Sequence, residues 1–262
     1  MLVGQRVVIA ARGGPVAGVI GRKPIHLLKT EDKEKAIKIT DLWIDIGATN
    51  QKDAAKRVRV GDPAVVAAAA LPLPNQRLAS RSIDNRIGAF VVLEALRMLR
   101  RPRPKAAVYA VATAQEEIGW FGGGARTSAT GLEPAVAIVV DVTHATDHPN
   151  ADKKEVGDIR LGAGPVLSRG SSVNPVVFEL LAETAGREKI PYQIQAAPRD
   201  TGTDADAIAT AHRGVATGLV SVPNRYMHSP NEMVDLGDLE RAAALLAAFA
   251  RRVTPRTDFT PQ

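Results

Sequence analysis

The sequence predicts an α/β protein of 262 residues in which a small β-rich, barrel-like domain precedes a larger layered domain. Two observations indicate this division. The first 75 or so residues hold short β-type runs separated by turn signals, and from about residue 80 apolar runs alternate with helical patterns. Strands that alternate with helices are typical of layered α/β domains. The proline-containing segment LPLPNQR is the expected boundary, which gives domains of 1–76 and 77–262.

The β character of the first domain rests on alternation and turns. The runs QRVVIAAR and VAGVIGRK flank the turn signal Gly13-Gly14-Pro15, and apolar residues alternate with Trp43 and Asp45 in DLWIDIGA. That period of two is typical of a half-buried strand. We therefore expect a small antiparallel barrel or sandwich. The segment KTEDKEKAIK mixes charges of both signs and is expected to form an exposed helix or turn.

The second domain is predicted from apolar runs of strand length and from helical periodicity. A glycine-rich turn, GWFGGG, follows the first of these strands. The predicted strands are Lys105–Ala114, Ala135–Val140 and Val215–Val222. The predicted helices are roughly Arg86–Leu99, Val173–Glu188, Asp204–Arg213 and Leu236–Val253.

Composition excludes several classes of protein. The chain has no cysteine, which rules out disulfides, thiolate zinc sites and a cysteine nucleophile. No apolar stretch approaches the ~20 residues needed to cross a bilayer, and no secretory signal is visible, so we expect a cytoplasmic protein without a membrane partner. The net charge of +6 raises the question of nucleic acid, but the basic cluster Arg97–Lys105 lacks interleaved aromatic residues. We therefore expect no nucleic-acid partner.

Residues that can hold a metal stand at the ends of the predicted strands. Glu116 and Glu117 follow the first strand, Asp141 follows the second, and His228 lies in a loop after the third. Parallel α/β sheets bind ligands beyond the carboxyl ends of their strands, so these residues are expected to meet at one crevice. Asp84 stands just before a helical pattern and joins the set. Carboxylates with a histidine suit zinc, cobalt or manganese.

Each of these residues alone has an ordinary explanation. Asp84 could be a helix N-cap, and Glu116 and Glu117 could form an exposed acidic turn. Asp141 could meet solvent, and His228 could be an exposed loop residue. Their convergence favours a metal centre. Adjacent carboxylates at a strand end diverge, so one of the two glutamates can bind metal while the other moves protons.

Other site chemistries have less support in the sequence. GWFGGG lacks the lysine and hydroxyl of a phosphate-binding loop, and no Gly-x-Ser-x-Gly elbow of a serine hydrolase is present.

A series of segments along residues 1–240 resembles one family. They are GVIGRKPIHLL, DLWIDIGATN, RVRVGDPAVV, SIDNRIGAFVVLEAL, ATAQEEIGWFGG, VVDVTHATDHP, SRGSSVNP, GTDADAI and VPNRYMHSPNEMVDL. The family is that of the tetrahedral aminopeptidases, also called glutamyl or deblocking aminopeptidases and sometimes labelled endoglucanase M. The resemblance implies a catalytic α/β/α domain of the zinc-peptidase type with a central mixed sheet. It also implies that 1–76 is an inserted β-rich dimerisation domain, incomplete at its start.

The resemblance also implies a dinuclear centre. Asp84 would bridge two divalent metals, zinc or cobalt with manganese as an alternative. Glu117 and His228 would complete one site, Asp141 would belong to the other, and Glu116 would be the general base. A cis peptide would follow Asp84.

The expected activity is release of N-terminal residues from peptides by a water that two metals activate. The resemblance implies self-association through dimers into a hollow dodecamer. In the family a His-x-Asp motif, which completes the second site, precedes the inserted domain, so we expect that segment to lie outside this chain. Alternatives are a dinuclear deacylase, a non-catalytic assembly subunit, and the glycoside hydrolysis suggested by the endoglucanase label, which needs two unligated carboxylates. The preferred N-terminal residue is not assigned.

Overall fold

The computed structural model describes residues 2–27, 30, 37–119 and 123–261. Two compact units divide the chain, Met1–Ala69 and Ala70–Gln262. The expected boundary segment LPLPNQR lies in the second unit, because Leu71–Leu73 pairs with the strand that starts at Arg77. Most of KTEDKEKAIK, expected to be a helix or turn, lies outside the described residues.

The first unit is built on an open antiparallel sheet. In its described part the strand order is β3-β2-β1-β4. Val7, Ile9 and Ile20 are buried on the two long strands. The predicted barrel is not formed by the described residues, since the two edge strands span three residues each and do not pair with each other. The strands are β1 (Arg6–Ala11), β2 (Gly14–Gly21), β3 (Trp43–Asp45) and β4 (Ala64–Val66).

A short helix that the sequence analysis did not predict belongs to the same unit. It is α1 (Gln51–Arg57), and the Asn50 side chain caps it by accepting a hydrogen bond from the Asp53 N–H. An asparagine at this position satisfies an N–H that has no partner within the helix.

The second unit holds a mixed sheet of order β7-β10-β8-β9 and a small antiparallel sheet of order β11-β6-β5 in its described part. In the mixed sheet β10 runs parallel to β7 and antiparallel to β8, while β8 and β9 are parallel. The strands are β5 (Leu71–Leu73), β6 (Arg77–Ser80), β7 (Val136–His144), β8 (Val166–Gly170), β9 (Gln193–Ala197), β10 (Ala216–Asn224) and β11 (Glu232–Asp235).

Helices cover both faces of the mixed sheet. They are α2 (Ile83–Met98), α3 (Gly123–Leu132), α4 (Lys153–Val156), α5 (Pro175–Arg187), α6 (Asp204–Ala209) and α7 (Leu236–Arg252). On β10, Val220 and Val222 pack into the large core with α2, α5 and α7, whereas Leu219 packs with Ala205 of α6 in a separate cluster. Successive residues of a strand face opposite sides of the sheet, so this division confirms the predicted α/β/α layering.

The predicted strand Lys105–Ala114 is not formed. These residues make no β-ladder with any described strand. A β-strand forms only where an adjacent strand pairs with its backbone N–H and C=O groups. An apolar run in the sequence does not show whether such a strand lies beside it. Residues 106–113 instead line a cavity of about 730 Å³ together with α2 and β7.

None of the helices in the described ranges is both long enough and apolar enough to cross a bilayer.

Candidate metal centre

Three of the five predicted site residues come together in the structure. One ligand atom from each of Asp84, Glu117 and His228 lies within 4.8 Å of the others. The His228 Nε2 atom is 3.2 Å from Asp84 Oδ2 and 3.5 Å from Glu117 Oε2. The Asp84 side chain is 9% exposed, whereas Glu117 and His228 are open to solvent. The group is therefore anchored on its buried side and accessible on the other.

Asp84 lies in the first turn of α2, and its backbone there is not helical. The capping position is Ser82, which stands in the left-handed region at φ 53°. The helix-cap explanation of Asp84 is therefore wrong, and its carboxyl is directed to His228 instead. The Asp84–Asn85 peptide is cis, as the resemblance implied. The Asn85 side chain donates to the Val140 carbonyl, which joins the start of α2 to β7.

Glu116 and Glu117 open a 3₁₀ turn after Gln115, a residue at φ 71°. Their side chains serve different surroundings, as expected for neighbours at a turn. Glu117 joins the group with Asp84 and His228, while Glu116 is half-buried outside it; both glutamates line the apolar cavity. Burial, then the charges of Glu117 and Asp204, raise the pKa of Glu116 to about 7.

Asp141 is not one of the three clustered residues. It lies within β7, which continues to His144, and is 6% exposed, so the expected strand end at this residue is wrong. Its Oδ1 atom accepts the Val142 N–H at 2.8 Å. Burial raises the pKa of Asp141 to about 8, and the charges of Asp84 and Glu116 add to this effect. Asp141 is therefore an electrostatic neighbour of the group.

His228 follows β10 in a loop and has a positive φ of 60°. Its backbone N–H donates to Glu232 Oε1 at 2.9 Å, which holds the loop against β11. Two other histidines do not belong to the three-residue group: His144 ends β7, and His148 contacts the carbonyl of the next residue, Pro149, and the Tyr226 ring.

The electrostatics of the group suit a divalent cation. Burial, then the charges of Glu117 and Glu232, raise the pKa of Asp84 to about 6, although His228 opposes the change. No lysine or arginine in the described part of the chain forms an ion pair with the carboxyl groups of Asp84, Glu117 or Asp141. Crowded carboxylates favour protonation unless a cation neutralises them. Two carboxylates and an imidazole are suitable ligands for zinc, cobalt or manganese, so the residues fit such an ion.

Two further acidic residues near the site were missed by the sequence analysis. Asp204 begins α6 and accepts a hydrogen bond from the Thr113 hydroxyl at 2.6 Å. Thr113 lies shortly before Glu116 in the chain. Glu232 begins β11 and is 2% exposed. Asp204 lies in GTDADAI and Glu232 lies in HSPNEMV, two stretches that belong to the segments resembling the family. Their location in those segments is the one sequence feature that could have pointed to them.

Known proteins resemble the chain over nearly its whole length. The family model described as M42 glutamyl aminopeptidase matches residues 1–245. A lysyl aminopeptidase of Pyrococcus furiosus is 36% identical over 263 residues, which cover 99% of this chain and 73% of the relative.

Solved structures agree with this similarity. The TET aminopeptidase of Thaumarchaeota archaeon SCGC AB-539-E09 superposes with a TM-score of 0.91 at 34% identity, covering 97% of this chain and 72% of that one. The TET1 peptidase of Pyrococcus horikoshii, which can assemble into a tetrahedron or a large octahedral shell, gives 0.83 at 30% identity, covering 96% and 73%. The family match, the shared fold and the Asp–Glu–His group agree, and the chain belongs to the M42 glutamyl aminopeptidase family of metal-dependent peptidases.

Proposed function

We propose that this chain releases N-terminal residues from peptides, with two divalent cations held by Asp84, Glu117, His228 and Asp141 and with Glu116 as general base. The observation that carries the proposal is the different position of the two adjacent glutamates. Glu117 lies with Asp84 and His228, while Glu116 stays outside that group with a pKa raised to about 7. A general base works best when its pKa lies near the working pH.

Glu116 would act twice in each turnover. It would take the proton of the water that attacks the first peptide carbonyl, and it would then give that proton to the departing amine. Bound divalent cations would supply two effects, a lower pKa of the attacking water and stabilisation of negative charge on the carbonyl oxygen. The half-buried position of Glu116 beside an apolar cavity limits competition from bulk water for the proton.

Asp141 and Asp84 together would hold the second of the two proposed cations. Support comes from the burial of Asp141 without an ion pair to lysine or arginine in the described chain, and from the mutual repulsion of Asp141 and Asp84. A cation between them would relieve both costs. The stoichiometry of cobalt bound per chain, measured by elemental analysis after dialysis, tests for two ions rather than one.

The test of the base is Glu116→Gln, which keeps the shape of the side chain but cannot take up a proton. We expect cobalt binding to persist and kcat to fall by roughly 10²–10⁴-fold on an aminoacyl reporter. Glu240→Gln, on an exposed residue of α7, is the matched control and should keep full activity. A Glu116→Gln enzyme with near wild-type kcat would overturn this role.

Substrates with free and blocked N-termini separate the peptidase from a deacylase. The peptidase hydrolyses only free N-terminal peptides, whereas a deacylase prefers acylated amino acids. The relatives' names refer to lysyl and glutamyl residues, so a reporter panel should include both. A folded wild-type chain that binds cobalt but cleaves none of these would favour the non-catalytic assembly subunit.

Self-association is proposed as well. The assembly of the Pyrococcus horikoshii peptidase supports it, and so do apolar side chains that the first unit exposes, among them Trp43, Val60 and Val65. Large apolar side chains that one chain leaves exposed can be buried when copies of the chain associate. Light scattering during gel filtration should give a mass well above the 27.8 kDa of one chain. A cytoplasmic location stays a prediction from the sequence.

A further inference from the structure

Glu232 is a buried carboxylate that the proposed reaction does not use. It is the first residue of β11 and is 2% exposed. In the described part of the chain it forms no ion pair, and its hydrogen-bond donors are backbone N–H groups. Burying a charge in this way is costly unless every oxygen is satisfied.

The two oxygens of Glu232 contact different segments. Oε2 accepts the N–H groups of Ile83 at 2.6 Å and Asp84 at 3.1 Å. Oε1 accepts the N–H of His228 at 2.9 Å. One carboxylate therefore connects the backbones of two residues whose side chains belong to the proposed metal centre.

Both segments need the support that Glu232 supplies. Ile83 and Asp84 precede the regular part of α2, because Asp84 and Asn85 have non-helical φ/ψ, and Ser82 makes no side-chain cap. Asn85 caps the regular helix by accepting the Gly88 N–H, so the N–H groups of Ile83 and Asp84 depend on Glu232 for their acceptor. His228 stands at φ 60°, a conformation that is strained for a residue with a side chain and that persists only where its surroundings hold it.

Glu232 also places a carboxylate close to the group. Its Oε2 atom is 3.1 Å from the Asp84 backbone nitrogen. A carboxylate there would attract a divalent cation held by Asp84, because opposite charges interact more strongly in a buried setting.

We propose that Glu232 is a positioning residue that holds Asp84 and His228 at the mutual distance a divalent cation requires and strengthens cation binding by its charge. This inference rests on the proposed function, since it assumes that the two residues bind metal. Groups that orient metal ligands commonly affect affinity by about 10–100-fold.

Glu232→Gln tests the inference with almost no change in size. The amide keeps one acceptor oxygen and places an NH₂ donor where the other oxygen stood. One of the two segments then faces a donor instead of an acceptor, and the negative charge is lost. We expect cobalt affinity, measured by titration calorimetry of the full chain, to fall about 10–100-fold. The visible absorption of bound Co²⁺ should change as well, because it reports ligand geometry.

Asp238→Asn is the matched control. Asp238 is fully buried and also accepts two backbone N–H groups, from Gly162 at 2.6 Å and Gly164 at 2.8 Å; unlike Glu232 it also pairs with Arg241 at 3.0 Å. Those residues are not proposed ligands. Asp238→Asn places an NH₂ group against a backbone N–H and removes the Arg241 ion pair, so it should lower the free energy of unfolding but leave cobalt affinity and the Co²⁺ spectrum unchanged.

The outcomes separate this inference from the proposed function. Wild-type cobalt affinity and spectrum in a folded Glu232→Gln chain would overturn the positioning role alone. If the wild-type chain bound no cobalt, or if Asp84→Asn bound it as tightly as wild type, the metal centre itself would be overturned. Should Glu232→Gln fail to fold by circular dichroism, Glu232→Asp replaces it. That variant keeps the charge but is too short to reach both segments, so an unchanged affinity in it would also overturn the positioning role.

Discussion

Replacing Asp141 with asparagine should stabilise the metal-free protein at neutral pH. Burial raises the pKa of the Asp141 carboxyl from 3.8 to about 8, and the charges of Asp84 and Glu116 contribute. The folded protein therefore holds this proton more tightly than the unfolded chain does. Asparagine has nearly the same shape, keeps an oxygen for the Val142 N–H and has no charge to bury.

The sign and size of the effect follow from proton linkage. The stability that this carboxyl contributes is fully present below about pH 4, and it is lost as pH rises toward the folded-state pKa of about 8. At pH 7 the loss corresponds to about 4 kcal/mol, since each pKa unit is worth ~1.36 kcal/mol. Asparagine does not titrate, so the variant keeps its stability as the pH rises. The two proteins should therefore be about equally stable at pH 4, and the variant should be more stable by about 4 kcal/mol at pH 7.

Urea denaturation in the presence of a chelator, at several values between pH 4 and pH 8, measures this difference. Other titrating groups are common to both proteins and largely cancel in the comparison. Cobalt at 100 times Kd should narrow the difference at pH 7, because the wild type gains about 2.7 kcal/mol whereas the variant lacks one ligand and gains less. If the two stability curves stayed parallel across the pH range, the explanation of the raised pKa by burial would be wrong.

Two other changes test the site and the fold. His228→Ala removes the one imidazole of the clustered group and should weaken cobalt binding at least tenfold, which calorimetry can measure; unchanged affinity would exclude His228 as a ligand. Gly164→Ala should destabilise the chain by at least 2 kcal/mol in urea denaturation, because Gly164 has a φ of +100° and an added Cβ would overlap the Pro191 carbonyl. Gly186→Ala, in α5 with open space around it, is its control and should be neutral or stabilising by up to ~1 kcal/mol.

Periodicity predicted those elements that bury one continuous face. The helices beginning near Ile83 and Leu236 were expected within a few residues, because apolar residues at helical spacing must pack on the same core whatever lies beyond it. The strand expected at Lys105–Ala114 failed because pairing depends on a neighbouring backbone. The sequence placed the end of β7 too early, just before Asp141, because a charged residue is usually exposed; in the structure Asp141 is buried within the strand.

Residues with distant partners were beyond the reach of local patterns. Glu232 accepts the N–H groups of Ile83 and Asp84 from a remote segment as well as that of nearby His228, and nothing within HSPNEMV indicates the remote donors. Asp204 is in the same situation, since its partner Thr113 lies in another part of the chain. Residue type alone does not distinguish a buried carboxylate from an exposed one.

The sequence by itself determined the layered α/β class, the lack of cysteine chemistry and the kinds of ligand available, because these depend on residue type and on short-range spacing. Only the tertiary structure decided that ligand atoms of Asp84, Glu117 and His228 lie within 4.8 Å of one another, and that Glu116 stays half-buried outside that group. The reason is physical. The distance between side chains far apart in the chain is set by strand register, by helix packing and by backbone conformations such as the positive φ of His228, and these form only when the whole core folds together.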